Sequence, residues 1–204
     1  MIVEQVTVGQ LEVNCYILAA GPDSQAVIID PGADVPRIKQ ALARYRLTPG
    51  IVINTHGHYD HIGGDDALGV PIYAHEEEVA LLKDAKRNYS VFFTTAFRVT
   101  APIHPVRDRQ IIRFGGIELE VLHVPGHSPG GISLLMRAPR TDMVFTGDSL
   151  FAGSIGRTDL EGDAGVLVAT IKEKLLVLPD QTLVYPGHGS STTIGEEKAG
   201  NPFL

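Results

Sequence analysis

One cysteine, Cys15, stands alone in 204 residues, so no intrachain disulfide can form and the fold must rest on packing in a reducing setting. Its place between Asn14 and Tyr16, ahead of Ile17-Leu18-Ala19-Ala20, suits a small buried hydrophobe better than a nucleophile or a thiolate ligand. Long apolar runs are missing: none approaches the roughly 20 residues that a membrane-spanning helix needs. The N-terminus carries Glu4 and no basic stretch of a secretion signal, and these absences together imply a soluble, cytoplasmic protein with no membrane partner. Linkers, low-complexity tracts and charge runs are absent as well, so residues 1–204 read as a single domain. Positive charge is in the minority. The 17 Lys and Arg against 24 Asp and Glu give a formal charge of −7, which argues against nucleic acid or an anionic lipid surface as partner. Nothing in the pattern speaks to oligomeric state.

What is present is an alternation of short apolar runs with helical periodicity. Strands are expected near Ile2-Val8, Cys15-Ala19 and Ala26-Asp30, then a helix whose face is Val35, Ile38, Leu42 and Tyr45, with Asp34 as N-cap and Pro36 in its first turn. Strands at Ile51-Asn54 and Val70-Ala74 follow, and a helix opening on Glu76-Glu77-Glu78, acidic where the helix dipole favours it. Gln110-Phe114 and Ile117-Val121 flank Gly115-Gly116 as a hairpin. The segment from Lys86 to Arg107, with Phe92, Phe93 and Phe97, has no clear period and reads equally as a lid or as the edge of the core.

The second half repeats the logic of the first. A strand at Ala26-Asp30 ends in an aspartate, and after a helix the strand Ile51-Asn54 leads into His56 and His58; a strand at Met143-Thr146 leads to Asp148, and after a helix at Ala164-Leu178, capped by Asp163 and stopped by Pro179, the strand Thr182-Tyr185 leads to His188. Two βα halves facing each other, with polar residues at the strand ends lining a shared cleft, make an α/β layered fold.

The densest chemistry lies in Thr55-His56-Gly57-His58-Tyr59-Asp60-His61-Ile62-Gly63-Gly64, three imidazoles and a carboxylate directly behind Ile51-Val52-Ile53. Imidazole nitrogen and carboxylate oxygen are ligands of zinc, iron and manganese, and at a strand end they are held rigid while open to solvent. A solvated His-rich loop is the plain alternative. His127 in Pro125-Gly126-His127, Asp148 in Thr146-Gly147-Asp148 and His188 in Pro186-Gly187-His188 weigh against it, each following an apolar strand. His75, His104 and His123 read otherwise, the first two as surface or loop residues and the third as half-buried packing.

With these residues in order, the chain resembles the metallo-β-lactamase superfamily across nearly its whole length, its H-x-H-x-D-H signature falling on His56, His58, Asp60 and His61. The resemblance implies an αββα sandwich with the metal site at the strand ends. It also implies two divalent metal ions, zinc first, with iron or manganese also suited to all-His/Asp ligation. His56, His58 and His127 would hold one ion, Asp60, His61 and His188 the other, and Asp148 would bridge both. Asp60 and Asp148 are then the catalytic carboxylates, and two cations roughly 3.5–4 Å apart would activate a bridging hydroxide and stabilise an oxyanion. Such a centre is locally positive and would draw an anionic substrate despite the global charge. Asp30 matches the aspartate that steadies the histidine loop, with a strand-end turn cap as the alternative.

Within the superfamily the chain is most similar to glyoxalase II-like hydrolases, through Asn14-Cys15-Tyr16-Ile17-Leu18, the loop Phe151-Ala152-Gly153-Ser154-Ile155-Gly156-Arg157-Thr158-Asp159, and the ending Thr193-Ile194-Gly195-Glu196-Glu197-Lys198 with Asn201-Pro202-Phe203-Leu204. This implies cleavage of small-molecule thioesters such as S-lactoylglutathione, with Arg157 contacting a carboxylate of the substrate. The additional C-terminal glutathione-binding domain of glyoxalase II has no counterpart in these 204 residues. The resemblance leaves two further readings open, a persulfide dioxygenase with a mononuclear iron, which shares Gly156-Arg157-Thr158-Asp159, and a lactonase.

Overall fold

The computed structural model describes residues 1–204. The first half runs β1 (Ile2–Val8), β2 (Val13–Ala19), β3 (Gln25–Ile29), α1 (Val35–Arg44), β4 (Thr48–Ile53), α2 (Tyr59–Ile62), α3 (Asp65–Leu68), β5 (Ile72–His75), α4 (Val79–Leu82), α5 (Ser90–Phe93) and β6 (Ile103–Val106). The second runs β7 (Ile111–Phe114), β8 (Ile117–His123), β9 (Ile132–Ala138), β10 (Met143–Gly147), β11 (Leu150–Phe151), β12 (Ser154–Ile155), α6 (Ala164–Lys174), β13 (Leu183–Pro186), β14 (Thr192–Thr193) and α7 (Ile194–Gly200). One six-stranded sheet has the order β1-β2-β3-β4-β5-β6 and the other β14-β13-β10-β9-β8-β7.

The period-2 alternation of β2 shows why the layers form. Tyr16 and Leu18 point between the sheets, where they meet Phe145, Leu134 and Val121 of the facing sheet. Cys15, Ile17 and Ala19 point the other way, onto Ile38, Ala41 and Leu42 of α1. On the opposite outer face Leu135, Val144 and Val184 pack under Leu167 and Ile171 of α6 and Ile194 of α7. The result is the expected sandwich of two sheets covered by helices. Each fully buried Leu, Ile or Phe side chain contributes about 1.5–3 kcal/mol of transfer free energy. Cys15 is fully buried, and burial pushes its thiol up, as suits a core residue rather than a nucleophile. No helix is long and apolar enough to cross a membrane.

The parallel pairings β3–β4 and β10–β13 place their carboxyl ends at one edge of the sandwich, and the residues after those ends form the site. Local differences from the sequence pattern have identifiable causes. Asp163 caps α6 by accepting from Val166 N–H at 3.0 Å, as its position predicts. Asp34 precedes α1 but sits at φ 47° with no capping bond, and its carboxylate accepts from Gly9 N–H at 3.0 Å instead. The run Glu76-Glu77-Glu78 is a turn, and the helix behind it is only Val79–Leu82. β6 and β9 escape the periodicity analysis. β6 contains Pro105 and is tolerated as the outer strand of its sheet, while β9 is buried on both faces along Ile132–Met136 and shows no alternation. Within the Lys86–Arg107 segment Val99 and Phe97 complete the core edge, as one of its two readings expects, while Phe92 and Phe93 of α5 stand exposed.

Candidate metal centre

All seven residues singled out by the sequence converge at the strand ends. His56 and His58 follow β4, Asp60 and His61 lie in α2, His127 sits between β8 and β9, Asp148 directly follows β10, and His188 follows β13. His56, His58 and His127 form one close group, Asp60, His61 and His188 a second, and His56, His61 and Asp148 an overlapping third. Asp148 spans the two halves: Oδ1 is 3.4 Å from His61 Nε2, and Oδ2 is 3.6 Å from both His127 Nε2 and His188 Nε2.

Whether these residues suit a cation is decided by their outward contacts. His127 Nδ1 donates to the Arg157 carbonyl at 2.7 Å and His188 Nδ1 to the Leu11 carbonyl at 2.9 Å, so each turns the lone pair of Nε2 inward. His61 Nδ1 faces Asp30 Oδ2 at 3.0 Å with the same effect. The inward nitrogens then crowd together, His127 Nε2 lying 3.3 Å from His56 Nε2 and 3.0 Å from His58 Nδ1, and His61 Nε2 3.3 Å from His188 Nε2. Ring nitrogens facing at these distances must share either a proton or a metal cation. Asp148 Oδ1, buried without a hydrogen-bond partner, adds an orphaned acceptor to the same space. The donor set fits divalent metal, and the second nitrogens of His61, His127 and His188 are held in the manner usual for metal-binding histidines, while His58 Nε2 is buried without a partner.

The electrostatics agree. Burial and the neighbouring imidazoles push His56 well below the ordinary histidine value, and burial and His127 bring His58 down to about 3, leaving both neutral, the form in which an imidazole can accept a metal ion. Burial opposes ionisation of Asp60, but His61 and His188 outweigh it and hold the carboxyl well below the usual range. At His61 burial works against protonation, yet Asp148, Asp60 and Asp30 overcome it and raise the imidazole. The carboxylates thus demand positive charge at this point. A metal would displace that proton.

Asp30 is the buried brace of the second group. Its Oδ1 accepts from Thr55 N–H at 2.7 Å, and its Oδ2 takes the Thr55 hydroxyl at 2.6 Å as well as His61. Two braces were not legible in the sequence. The backbone carbonyl of Arg157 fixes His127, a role no side-chain pattern reveals, and buried Glu78 accepts from Gly57 N–H and Gly130 N–H, each at 2.6 Å. The Arg157 side chain makes a two-point pair with Asp159, both contacts 2.8 Å, at the exposed rim.

Above the metal-suited floor lies a cavity of about 380 Å³ whose walls include Leu11, Tyr59, Tyr89, Phe93, Phe151 and Leu160, with Arg157 at its edge. Tyr59 and Phe93 stack at 5.6 Å between ring centres, joining α5 to α2. A second groove of about 340 Å³ shares Leu11, Tyr59, Asp60 and Phe93 with the first.

The remaining histidines lie apart. His75 is buried at the end of β5, contrary to its reading as a surface residue, and stacks on half-buried His123 at 4.0 Å and 14° between ring planes. Glu77 is near both rings, but parallel rings direct their lone pairs side by side, and His123 Nε2 is taken by the Pro129 carbonyl at 3.0 Å. The pair packs β5 against β8. His104 is an exposed strand residue of β6, stacked on Tyr73.

Comparison with known proteins places this geometry in a family. A hydroxyacylglutathione hydrolase, GloC, of Haemophilus influenzae is 36% identical over 100% of this chain and 98% of its own length. The crystal structure of BLEG-1 B3 metallo-beta-lactamase is similar with a TM-score of 0.92 and 39% identity, covering 100% of this chain and 99% of that one. The crystal structure of TTHA1623 in a di-iron-bound form follows at a TM-score of 0.85 and 36% identity, covering 99% and 100%. The family profile of the metallo-beta-lactamase superfamily matches residues 8–188, a span that holds every one of the seven clustered histidines and aspartates, and the chain belongs to that superfamily.

Proposed function

We propose that this chain is a binuclear metal-dependent hydrolase of thioesters, of which S-lactoylglutathione is the type. The observation that carries the reading is the pair of histidine groups joined by Asp148 at the floor of an apolar-walled cavity. His56, His58 and His127 would hold one ion and Asp60, His61 and His188 the other, zinc being the first choice and iron or manganese equally compatible with the ligand types. When bound, such ions supply Lewis acidity and a water activated near neutral pH. The chain's own residues do the rest. Asp148 fixes the separation of the two halves, and Asp60, kept ionised beside His61 and His188, orients the attacking water through its carboxylate. The apolar walls exclude bulk water from the acyl group and strengthen every charge interaction at the floor. The hydroxyacylglutathione hydrolase relative and the di-iron form of TTHA1623 support the activity class and the metal count respectively.

Arg157 is the candidate for orienting an anionic thioester. It reaches the cavity edge but is paired with Asp159, so binding a substrate carboxylate means exchanging one two-point contact for another. The test is thiol release from S-lactoylglutathione by metal-loaded protein under strict exclusion of oxygen. Turnover supports the hydrolase. Oxygen uptake with glutathione persulfide and no thioester cleavage would assign the chain to the dioxygenase reading.

A further inference from the structure

Glu78 belongs to none of the ligand groups, yet it is fully buried at the start of α4. Its two oxygens are divided between two loops. Oε2 accepts from Gly57 N–H at 2.6 Å, the single residue between His56 and His58, and Oε1 accepts from Gly130 N–H at 2.6 Å, three residues after His127. Both partners are glycines because nothing larger fits. A Cβ at Gly57 would lie 2.9 Å from Glu78 Oε2 and 2.7 Å from Leu81 Cβ, and one at Gly130 would lie 2.9 Å from Glu78 Cγ. Burying a carboxylate is costly unless it is hydrogen-bonded, so a residue serving only to fill space here would be apolar.

The two loops it joins are the ones that supply the three-histidine group. His56 and His58 come from the first and His127 from the second, and their inward nitrogens must stay within the 3.0–3.3 Å seen here. One other backbone bond spans these loops, Ile132 N–H to the Thr55 carbonyl at 2.9 Å, and it lies on the strand side of His56. Glu78 supplies the anchor on the far side. Asp30, by contrast, reaches Thr55 and His61 and braces the other half of the centre.

We infer that Glu78 is a positioning residue dedicated to the three-histidine metal position, setting its affinity by clamping the His56/His58 loop to the His127 loop. This rests on the metal reading proposed above. Replacing its carboxylate by an amide keeps the shape but turns one acceptor into a donor facing a backbone N–H, which releases one loop.

The test measures zinc affinity by chelator competition in two backgrounds. His188→Ala disables the second group and leaves the three-histidine position; His58→Ala disables the first and leaves Asp60, His61 and His188. Loss of a partner behind a metal ligand typically costs about 10–100-fold in affinity. Glu78→Gln is therefore expected to weaken zinc by that factor in the His188→Ala chain and by less than about 3-fold in the His58→Ala chain. Glu78→Asp, whose shorter carboxylate reaches one loop, is expected to fall between wild type and Glu78→Gln in the first background. Equal losses in both backgrounds, no loss in either, or failure of both Glu78 variants to fold without metal would make Glu78 a general scaffold residue and overturn the inference. If the wild-type chain binds no zinc, the metal reading itself falls and this inference with it; if the wild type binds zinc but neither background does, the two positions are inseparable and a role of Glu78 dedicated to one of them is overturned.

Discussion

Asp30→Asn isolates the brace behind the second metal group without touching a ligand. The wild-type carboxylate accepts three hydrogen bonds, from the Thr55 amide, the Thr55 hydroxyl and His61 Nδ1, while 1% exposed. An amide oxygen can remain against the Thr55 N–H, and the Thr55 hydroxyl can rotate to accept. His61 is then left with N–H facing N–H. Loss of one hydrogen bond to a charged group costs about 1.5–3 kcal/mol. For a chain of this size that corresponds to a fall in Tm of about 3–12 °C, at roughly 2–4 °C per kcal/mol. The same change lets the His61 ring turn, so metal affinity at the Asp60/His61/His188 group should fall about 10–100-fold. Thermal unfolding in the presence of a chelator reads the first effect, and competition titration of the metal reads the second. An unchanged metal-free Tm together with affinity within 2-fold of wild type would refute the assignment of Asp30 as the brace of that group.

Asp148→Asn should reduce thioester turnover by at least about 100-fold, the scale on which preorganised charge at a reaction centre acts, and should lower metal content at both positions while the circular dichroism stays native. Near-normal turnover at full metal content would exclude a bridging role. Arg157→Ala should raise KM for an anionic thioester more than for a neutral one and leave metal content unchanged; equal effects on both substrates, or a lower Tm with no KM change, would make the Asp159 pair purely structural. Asp66 accepts from the backbone of Thr100 and Ala101 and from the Thr100 hydroxyl, and although burial opposes it these bonds hold its carboxyl below the usual range. A carboxyl with a lowered folded-state value stabilises above its unfolded value and loses that contribution as pH falls. Asp66→Asn should therefore lower Tm near neutrality, and the difference from wild type should begin to shrink as pH falls through the unfolded carboxyl range near about 4 and vanish only beneath the lower folded-state value. A difference independent of pH would refute the ionic account.

The seven clustered histidines and aspartates were legible because the chemistry sits at strand ends whose apolar runs are plain in the sequence. The repeated strand–helix–strand pattern likewise gave the two facing halves. Strand β9 shows no alternation because it is buried on both faces, and Pro105 interrupts the pattern of β6. Three consecutive glutamates suggest a helix N-terminus, but Glu78 is drawn inward to the loop amides of Gly57 and Gly130 and α4 is only Val79–Leu82. Asp34 has the residue type of a cap and a neighbour, Gly9, that offers its N–H instead. The burial of His75 depends on stacking with His123, a contact between sheets 48 positions apart that no local pattern encodes. For α4, Asp34 and His75 the hidden determinant is a tertiary partner.

The central claim is a two-metal centre that cleaves thioesters without oxygen. It is tested most directly by titrating metal-free protein with zinc, and separately with iron(II), in an anaerobic chamber while recording S-lactoylglutathione cleavage against bound metal per chain. The account predicts activity that rises to a plateau at two ions per chain, with thiol released and no oxygen required. A plateau at one ion, with no thioester cleavage and turnover appearing only when oxygen and a persulfide are supplied, would contradict it.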